Sequence, residues 1–382
     1  MMKLLKSFAR SLQSPSAISQ SSPLPFPPPP PHPPPPPPPE KTDVTPYSFN
    51  CPAVSAFFLA FPFHHIDGVQ VLSFCCELSL KFPSIRLCET GKETIKRFLE
   101  MRAQFISEGI FSAIPFKQSI SDVCINCPQY QLRRWKNDEL IRMVHLSMTP
   151  APCQSKCIYC EVIHMPEKFN DPIVQENYRR AFDALDYAEK SGLIAPDARW
   201  MISSGEITIH PYKDKILDIV KNKDATFFTN GFLFDEKIKH ILSSNPRSHI
   251  NLSIDSGTAD TWFKVKGVDN FGKVVENLKQ YAGGNVRTDA ITLKYIMLPG
   301  INNFPGDYAG IARIMKMLNV SELIISRERR SYELSNEQHA ELIRSVGELA
   351  GELVKNGLKY TLHSYSPDEK RQVAAIVSKA VS

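Results

Sequence analysis

Residues 142–160 read RMVHLSMTPAPCQSKCIYC, and this stretch decides the fold. Its first half, Arg142–Ser147, is a short strand-like run. Its second half sets Cys153, Cys157 and Cys160 on the loop that directly follows. CxxxCxxC spacing is what one loop needs to wrap three thiolates around one face of an iron–sulfur cube. A [4Fe–4S] cluster takes four cysteine ligands when fully held, so three from one loop leave an iron open. An open coordination position is where a metal site does chemistry. Joined by His164, the same three cysteines would also satisfy a Cys₃His zinc site, and the spacing by itself leaves both open.

Downstream of that loop, strands and helices alternate. Strands are expected at Trp200–Ser203, Ala225–Phe228, His249–Ile254, Ala290–Met297, Glu322–Ser326 and Lys359–His363. Helices are expected at Pro172–Lys190, Lys213–Asn222, Asp235–Ser243, Asn270–Ala282, Gly306–Leu318 and Ser335–Lys355. Repeated β–α units predict an α/β fold, a parallel sheet with helices outside. Six or seven units suit a partial or closed β/α barrel, whose working loops lie at the carboxyl ends of the strands. The three-cysteine loop follows the first strand, on that side.

Composition narrows the function classes. The 382 residues are 42% hydrophobic, enough for a sizeable core, and the net charge is only +5. Nucleic-acid binding would show as a basic stripe interleaved with aromatics, so no nucleic acid is expected. No apolar run reaches the ~18 residues of a membrane span; the best, Ala53–Phe61, ends at Pro62. A membrane location is therefore not expected. The nine cysteines sit close together on loops of a long chain, which favours metal ligation in a reducing, cytoplasmic setting over a secreted disulfide frame. Residues 1–46 read as a disordered leader. Met1–Ser22 is basic, serine-rich and transit-like in composition, and prolines crowd between Pro23 and Pro39 as a polyproline II rod.

Residues 47–134 read as a smaller module, with residues 138–382 as the barrel and its C-terminal helix. In SAFFLAFPFHHIDGVQVLSFCC, β-rich residues flank Asp67-Gly68, a hairpin turn pair. A helix follows over Glu93–Glu108, then Cys124-Ile-Asn-Cys127.

From Arg142 to His363 the chain resembles the radical S-adenosylmethionine superfamily. The resemblance rests on CxxxCxxC with aromatic Tyr159 before the last cysteine, and on elements at successive strand ends. These are Ser204-Gly205-Glu206, Thr229-Asn230-Gly231, Ser253-Ile254-Asp255 and Met297–Gly300. It implies that Cys153, Cys157 and Cys160 ligate a cluster whose fourth iron is chelated by S-adenosylmethionine. A reduced cluster would then cleave this cofactor to a 5′-deoxyadenosyl radical that abstracts hydrogen from a substrate. Tyr159, Ser204, Gly205, Glu206, Asn230, Ser253, Asp255 and Met297 are implied cofactor-binding positions, Glu206 as an ionic acceptor. On strand five, Lys294 and Tyr295 alternate, and one of them is expected to face the interior. A peptide, sugar or small-molecule substrate is implied, together with a one-electron reductant such as flavodoxin or ferredoxin.

Cys51, Cys75, Cys124 and Cys127 make a second set, similar to the auxiliary-cluster modules called SPASM or twitch, though placed before the barrel rather than after it. Adjacent strand residues point to opposite faces, so Cys75 and Cys76 do not both ligate; Cys75 is taken as the ligand. Cys₄ zinc sites share the CxxC spacing and stay open for this module. Cys88 is read as a small buried apolar residue. The competing class is a zinc-binding interaction protein whose proline rod recruits partners; a cofactor-binding regulator without turnover is a third reading.

Overall fold

The structure is a computed structural model and describes residues 49–50, 56–60, 71–73, 85–107, 131–132, 140–147, 151–160, 169–203, 205–328 and 334–382. All of them belong to one compact unit that runs from Pro46 onward. The leader expected over residues 1–46 and the Asp67-Gly68 turn lie outside the described residues.

In chain order, β1 (Phe49–Asn50) pairs antiparallel with β5 (Gln131–Leu132). Between them lie β2 (Ala56–Ala60), β3 (Val71–Ser73), β4 (Ile85–Arg86) and α1 (Gly91–Ser107). The repeating part starts with β6 (Ile141–Ser147), α2 (Pro172–Lys190), β7 (Ile194–Ile202), α3 (Lys213–Val220) and β8 (Asp224–Thr229). It continues through α4 (Glu236–Ser244), β9 (His249–Ser253), α5 (Ala259–Lys266), α6 (Phe271–Ala282) and β10 (Ile291–Met297). Then come α7 (Pro305–Met317), β11 (Glu322–Arg327), α8 (Asn336–Lys355), β12 (Lys359–His363) and α9 (Pro367–Val381).

Strands β6 to β12 form a parallel sheet in sequence order, and among the described residues the sheet does not close. Each expected strand is present. Strand β7 starts six residues earlier than expected, because Ile194 pairs with Ile141 and the register then shifts before Met143 meets Arg199. The exposed Pro196-Asp197 pair hides that early segment from an apolar pattern. Past β6, strand β2 adds in parallel, and β3 and β4 follow antiparallel, so the expected hairpin strands extend the same sheet.

Helices start where local chemistry allows. Asp171 caps α2 with Pro172 behind it, and Ser335 and Ser366 close capping boxes on α8 and α9 with Gln338 and Glu369. One strand face is fully buried against the helices: Val144, Trp200, Phe227, Leu252, Leu293, Tyr295 and Ile325 are 1% exposed or less. The opposite face carries the intervening residues. Ser253, Lys294, Ile324 and Thr361 share one register row across β9 to β12. Of the two strand-five candidates, Lys294 is thus the one on the interior face. Tyr295 turns to the helices, and its hydroxyl donates to Asn302 O at 2.6 Å.

Candidate active site

Residues 151–160 are held in place by the ends of three other strands. Within the loop, Cys160 N donates to Cys157 O at 3.0 Å, and Ser155 Oγ lies 2.9 Å from Cys157 Sγ. At the end of β7, Gly205 has φ +54°, and a Cβ there would sit 2.6 Å from Pro152 O. Only glycine allows this approach, and it lets Glu206 N donate to Pro152 O at 2.9 Å. At the end of β8, Asn230 Nδ2 reaches Cys153 Sγ at 3.6 Å and Gln154 Oε1 at 3.4 Å. Helix α5, after β9, accepts two main-chain donors of the loop: Lys156 N to Lys266 O at 2.8 Å, and Ile158 N to Val265 O at 3.0 Å.

Glu206 is 1% exposed, and its carboxylate accepts four hydrogen bonds. Oε1 takes Thr208 N at 3.1 Å, Thr208 Oγ1 at 2.8 Å and Thr229 Oγ1 at 2.7 Å; Oε2 takes Asn230 N at 2.7 Å. Burial pushes its carboxyl above the usual range, while these four donors pull it back. The side chain therefore braces two strand ends against each other rather than presenting an open carboxylate.

Asp255 is 0% exposed with φ +50°, a left-handed conformation uncommon outside glycine. Its Oδ1 accepts Ile296 N at 2.6 Å, and its Oδ2 accepts Tyr159 OH at 2.5 Å. The Lys266 ammonium also binds that Oδ2 and donates to Tyr159 OH at 2.8 Å. Burial works against the ammonium, yet Asp255, Cys157 and Cys153 outweigh it and its pKa moves up. Asn302, 0% exposed, ties the ends of β9 and β10 together: Nδ2 donates to Asp255 O at 2.9 Å and to Ile296 O at 2.8 Å.

Of the residues singled out in the sequence, Cys153, Cys157, Cys160, Tyr159, Gly205, Glu206, Asn230 and Asp255 meet in this cluster. Ser253 lies on the interior face opposite Lys294. Met297 does not join them by its side chain, which is buried on the helix-facing side because strand alternation puts it in phase with Tyr295. Cys88 is half-buried rather than buried: it sits at the entry to α1, its N–H donating to Thr94 Oγ1 at 2.9 Å. Ser204, His164, Cys51, Cys75, Cys76, Cys124 and Cys127 lie outside the described residues. Lys266 and Asn302 went unread. The Gly267 stop signal marks where α5 ends, and the Asn302-Asn303 pair marks a turn.

Three thiols on one loop are in their chemistry the donors of a metal cluster. Burial pushes the Cys153 thiol up to about 11, so a thiolate there calls for added positive charge, which a metal centre supplies. Gln154 Nε2 is buried beside Cys153 with no partner among the described residues. Among those residues no three His, Cys, Asp or Glu side chains converge as one metal ion would require.

Residues 151–305 match the family model described as Radical SAM superfamily. That segment is similar to radical SAM domains over its whole length. A GTP 3',8-cyclase of Clostridium acetobutylicum is 22% identical over 221 residues, covering 56% of this chain and 66% of that protein. A GTP 3',8-cyclase of Clostridium perfringens is 23% identical over 160 residues, covering 40% and 46%. The chain thus spans two thirds or less of the curated relatives it matches. Streptococcus suis SuiB bound to S-adenosylmethionine aligns with TM-score 0.41 at 12% identity, over 78% of this chain and 69% of that one. A radical SAM methyltransferase from Sphaerobacter thermophilus aligns with TM-score 0.36 at 16% identity, over 51% and 58%. The described residues include no helix long and apolar enough to cross a membrane.

Proposed function

We propose that this chain is a radical SAM enzyme in which Cys153, Cys157 and Cys160 hold a [4Fe–4S] cluster and leave one iron for S-adenosylmethionine. When bound, the pair supplies a 5′-deoxyadenosyl radical by reductive cleavage of the cofactor, and the radical takes hydrogen from a substrate. The observation that carries this reading is the family match that begins two residues before Cys153, on a loop that three further strand ends contact.

The chain's own residues prepare that site. Asn230 offers its amide to the Cys153 sulfur, and Glu206 holds Asn230 by its main-chain N–H. Both strengthen an anionic sulfur by hydrogen bonding and orientation. Gly205, through the close approach it permits, brings the β7 end against Pro152. Ser253 and Lys294 give the interior face a hydroxyl and an amine for the polar parts of cofactor or substrate. Ser204 and the main chain at Met297 complete the proposed cofactor-binding set.

The substrate is proposed to be a peptide, sugar or other small molecule, with a flavodoxin- or ferredoxin-type protein as electron donor in a reducing, cytoplasmic compartment. Cys51, Cys75, Cys124 and Cys127 are proposed to hold an auxiliary cluster in a SPASM- or twitch-like module over residues 47–134. Oxygen-free reconstitution tests both sites: two [4Fe–4S] clusters give roughly seven to eight irons per chain, one gives about four. With dithionite and S-adenosylmethionine the protein forms 5′-deoxyadenosine, and Cys157→Ala forms none. Stoichiometric zinc without iron would replace this function with the zinc-binding one.

A further inference from the structure

Behind the cysteine loop lies an ion pair that the radical chemistry does not itself require. Lys266 and Asp255 are 1% and 0% exposed at their side chains. Removing two charges from water costs several kcal/mol, recovered only when geometry and further hydrogen bonds are good. Here the further partner is Tyr159, whose hydroxyl takes a hydrogen bond from Lys266 at 2.8 Å and gives one to Asp255 at 2.5 Å. Tyr159 stands between two cysteines, two residues after Cys157 and one before Cys160.

We propose that Lys266 is a positioning residue: with Asp255 it grips Tyr159 and so sets the cysteine loop in its metal-binding shape before any iron arrives. This rests on reading Cys153, Cys157 and Cys160 as the cluster ligands.

The grip has two strands of attachment. The main chain contributes Lys156 N to Lys266 O and Ile158 N to Val265 O. The side chains contribute the Lys266–Tyr159–Asp255 contacts, and the ammonium also lies 5.2 Å from the Tyr159 ring centre and 5.5 Å from that of Trp262. Asp255 is itself fixed, since Ile296 N donates to its Oδ1 and Asn302 Nδ2 to its carbonyl. At the turn closing α5, Gly267 has φ +68°, and a Cβ there would stand 3.0 Å from the Lys156 Cβ. The loop is therefore clamped over residues 156–159 to an anchor that extends to the end of β10.

Hydrogen exchange tests this in the metal-free protein. Tyr159→Phe removes only the bridging hydroxyl and leaves the Lys266–Asp255 pair whole, so the fold persists. Exchange at the Lys156 and Ile158 amides should quicken about tenfold, the factor lost with one charge-assisted hydrogen bond, while β10 and α7 keep their protection. Lys266→Met should quicken the same amides further, and Lys266→Arg should restore part of the protection. After reconstitution, reduced Tyr159→Phe should show an electron paramagnetic resonance spectrum whose change on adding S-adenosylmethionine differs from the wild type. Unchanged loop exchange, acceleration spread evenly over the barrel, or an identical spectral change would each overturn the proposal. Failure of wild-type protein to take up iron would instead overturn the cluster reading, and the exchange comparison would still stand.

Discussion

Glu206 Oε2 accepts the main-chain N–H of Asn230 at 2.7 Å, and the Asn230 amide in turn reaches Cys153 Sγ at 3.6 Å. A carboxylate with no direct contact to the cysteines thereby fixes a donor that has one. Glutamine at 206 can keep only an acceptor toward the two threonines; its amide nitrogen then faces Asn230 N, donor against donor. Glu206→Gln should lower unfolding free energy by about 1–3 kcal/mol, read by urea denaturation, and should weaken cluster retention in the same preparation.

Close backbone packing makes a second expectation. A Cβ on Gly310 of α7 would stand 2.1 Å from Gly257 O, which follows β9. The contact is sealed by Asp307, 1% exposed, whose carboxylate accepts Gly257 N at 2.9 Å and Thr261 Oγ1 at 2.8 Å. Gly310→Ala has no flexible side chain to push aside and should cost more than about 3 kcal/mol, visible as a Tm drop of several degrees.

Acid should destabilise the fold before carboxylates titrate. Burial lowers His145 and His210 from 6.5 to about 4. Tyr212 N donates to His210 Nδ1 at 3.1 Å, a contact that needs the neutral ring. The unfolded chain binds a proton that the folded histidine refuses, so this stabilisation is complete above pH 6.5 and is lost as pH falls towards 4. Each histidine contributes on the order of 3 kcal/mol to that loss. Denaturation midpoints across this window should fall in wild type and fall less steeply in His210→Gln.

Thiol reactivity should separate the cysteines in metal-free protein. Cys153, pushed up to about 11, holds little thiolate at pH 8, whereas Cys160 is exposed. Iodoacetamide should label Cys160 at least about tenfold faster than Cys153, as peptide mass spectrometry would show. Equal rates would contradict the burial of Cys153.

Much of this architecture was legible because buried parallel strands leave apolar runs and their ends leave small polar residues. Ser253-Ile254-Asp255 and Thr229-Asn230-Gly231 stood out through the resemblance of those strand ends to a known family's elements. The roles within those elements did not follow. The resemblance implies a cofactor contact at Asp255, but no local pattern encodes the left-handed backbone that turns its side chain inward to a lysine eleven positions on. Lys266 stayed hidden because α5 is only eight residues long and its capping Thr258 follows a short polar turn. Strand β2 joins the sheet by pairing across more than eighty residues, a separation no local pattern encodes.

Among the described residues β12 pairs with β11 alone, and at the far side β4 pairs with β3 alone. Among the described residues the two rims of the sheet do not pair with each other. Spreading them apart requires only more twist between neighbouring strands and breaks no main-chain ladder. A change of twist at any one ladder would therefore move Ser253 and Lys294 relative to the outer strands while every main-chain pairing stays intact.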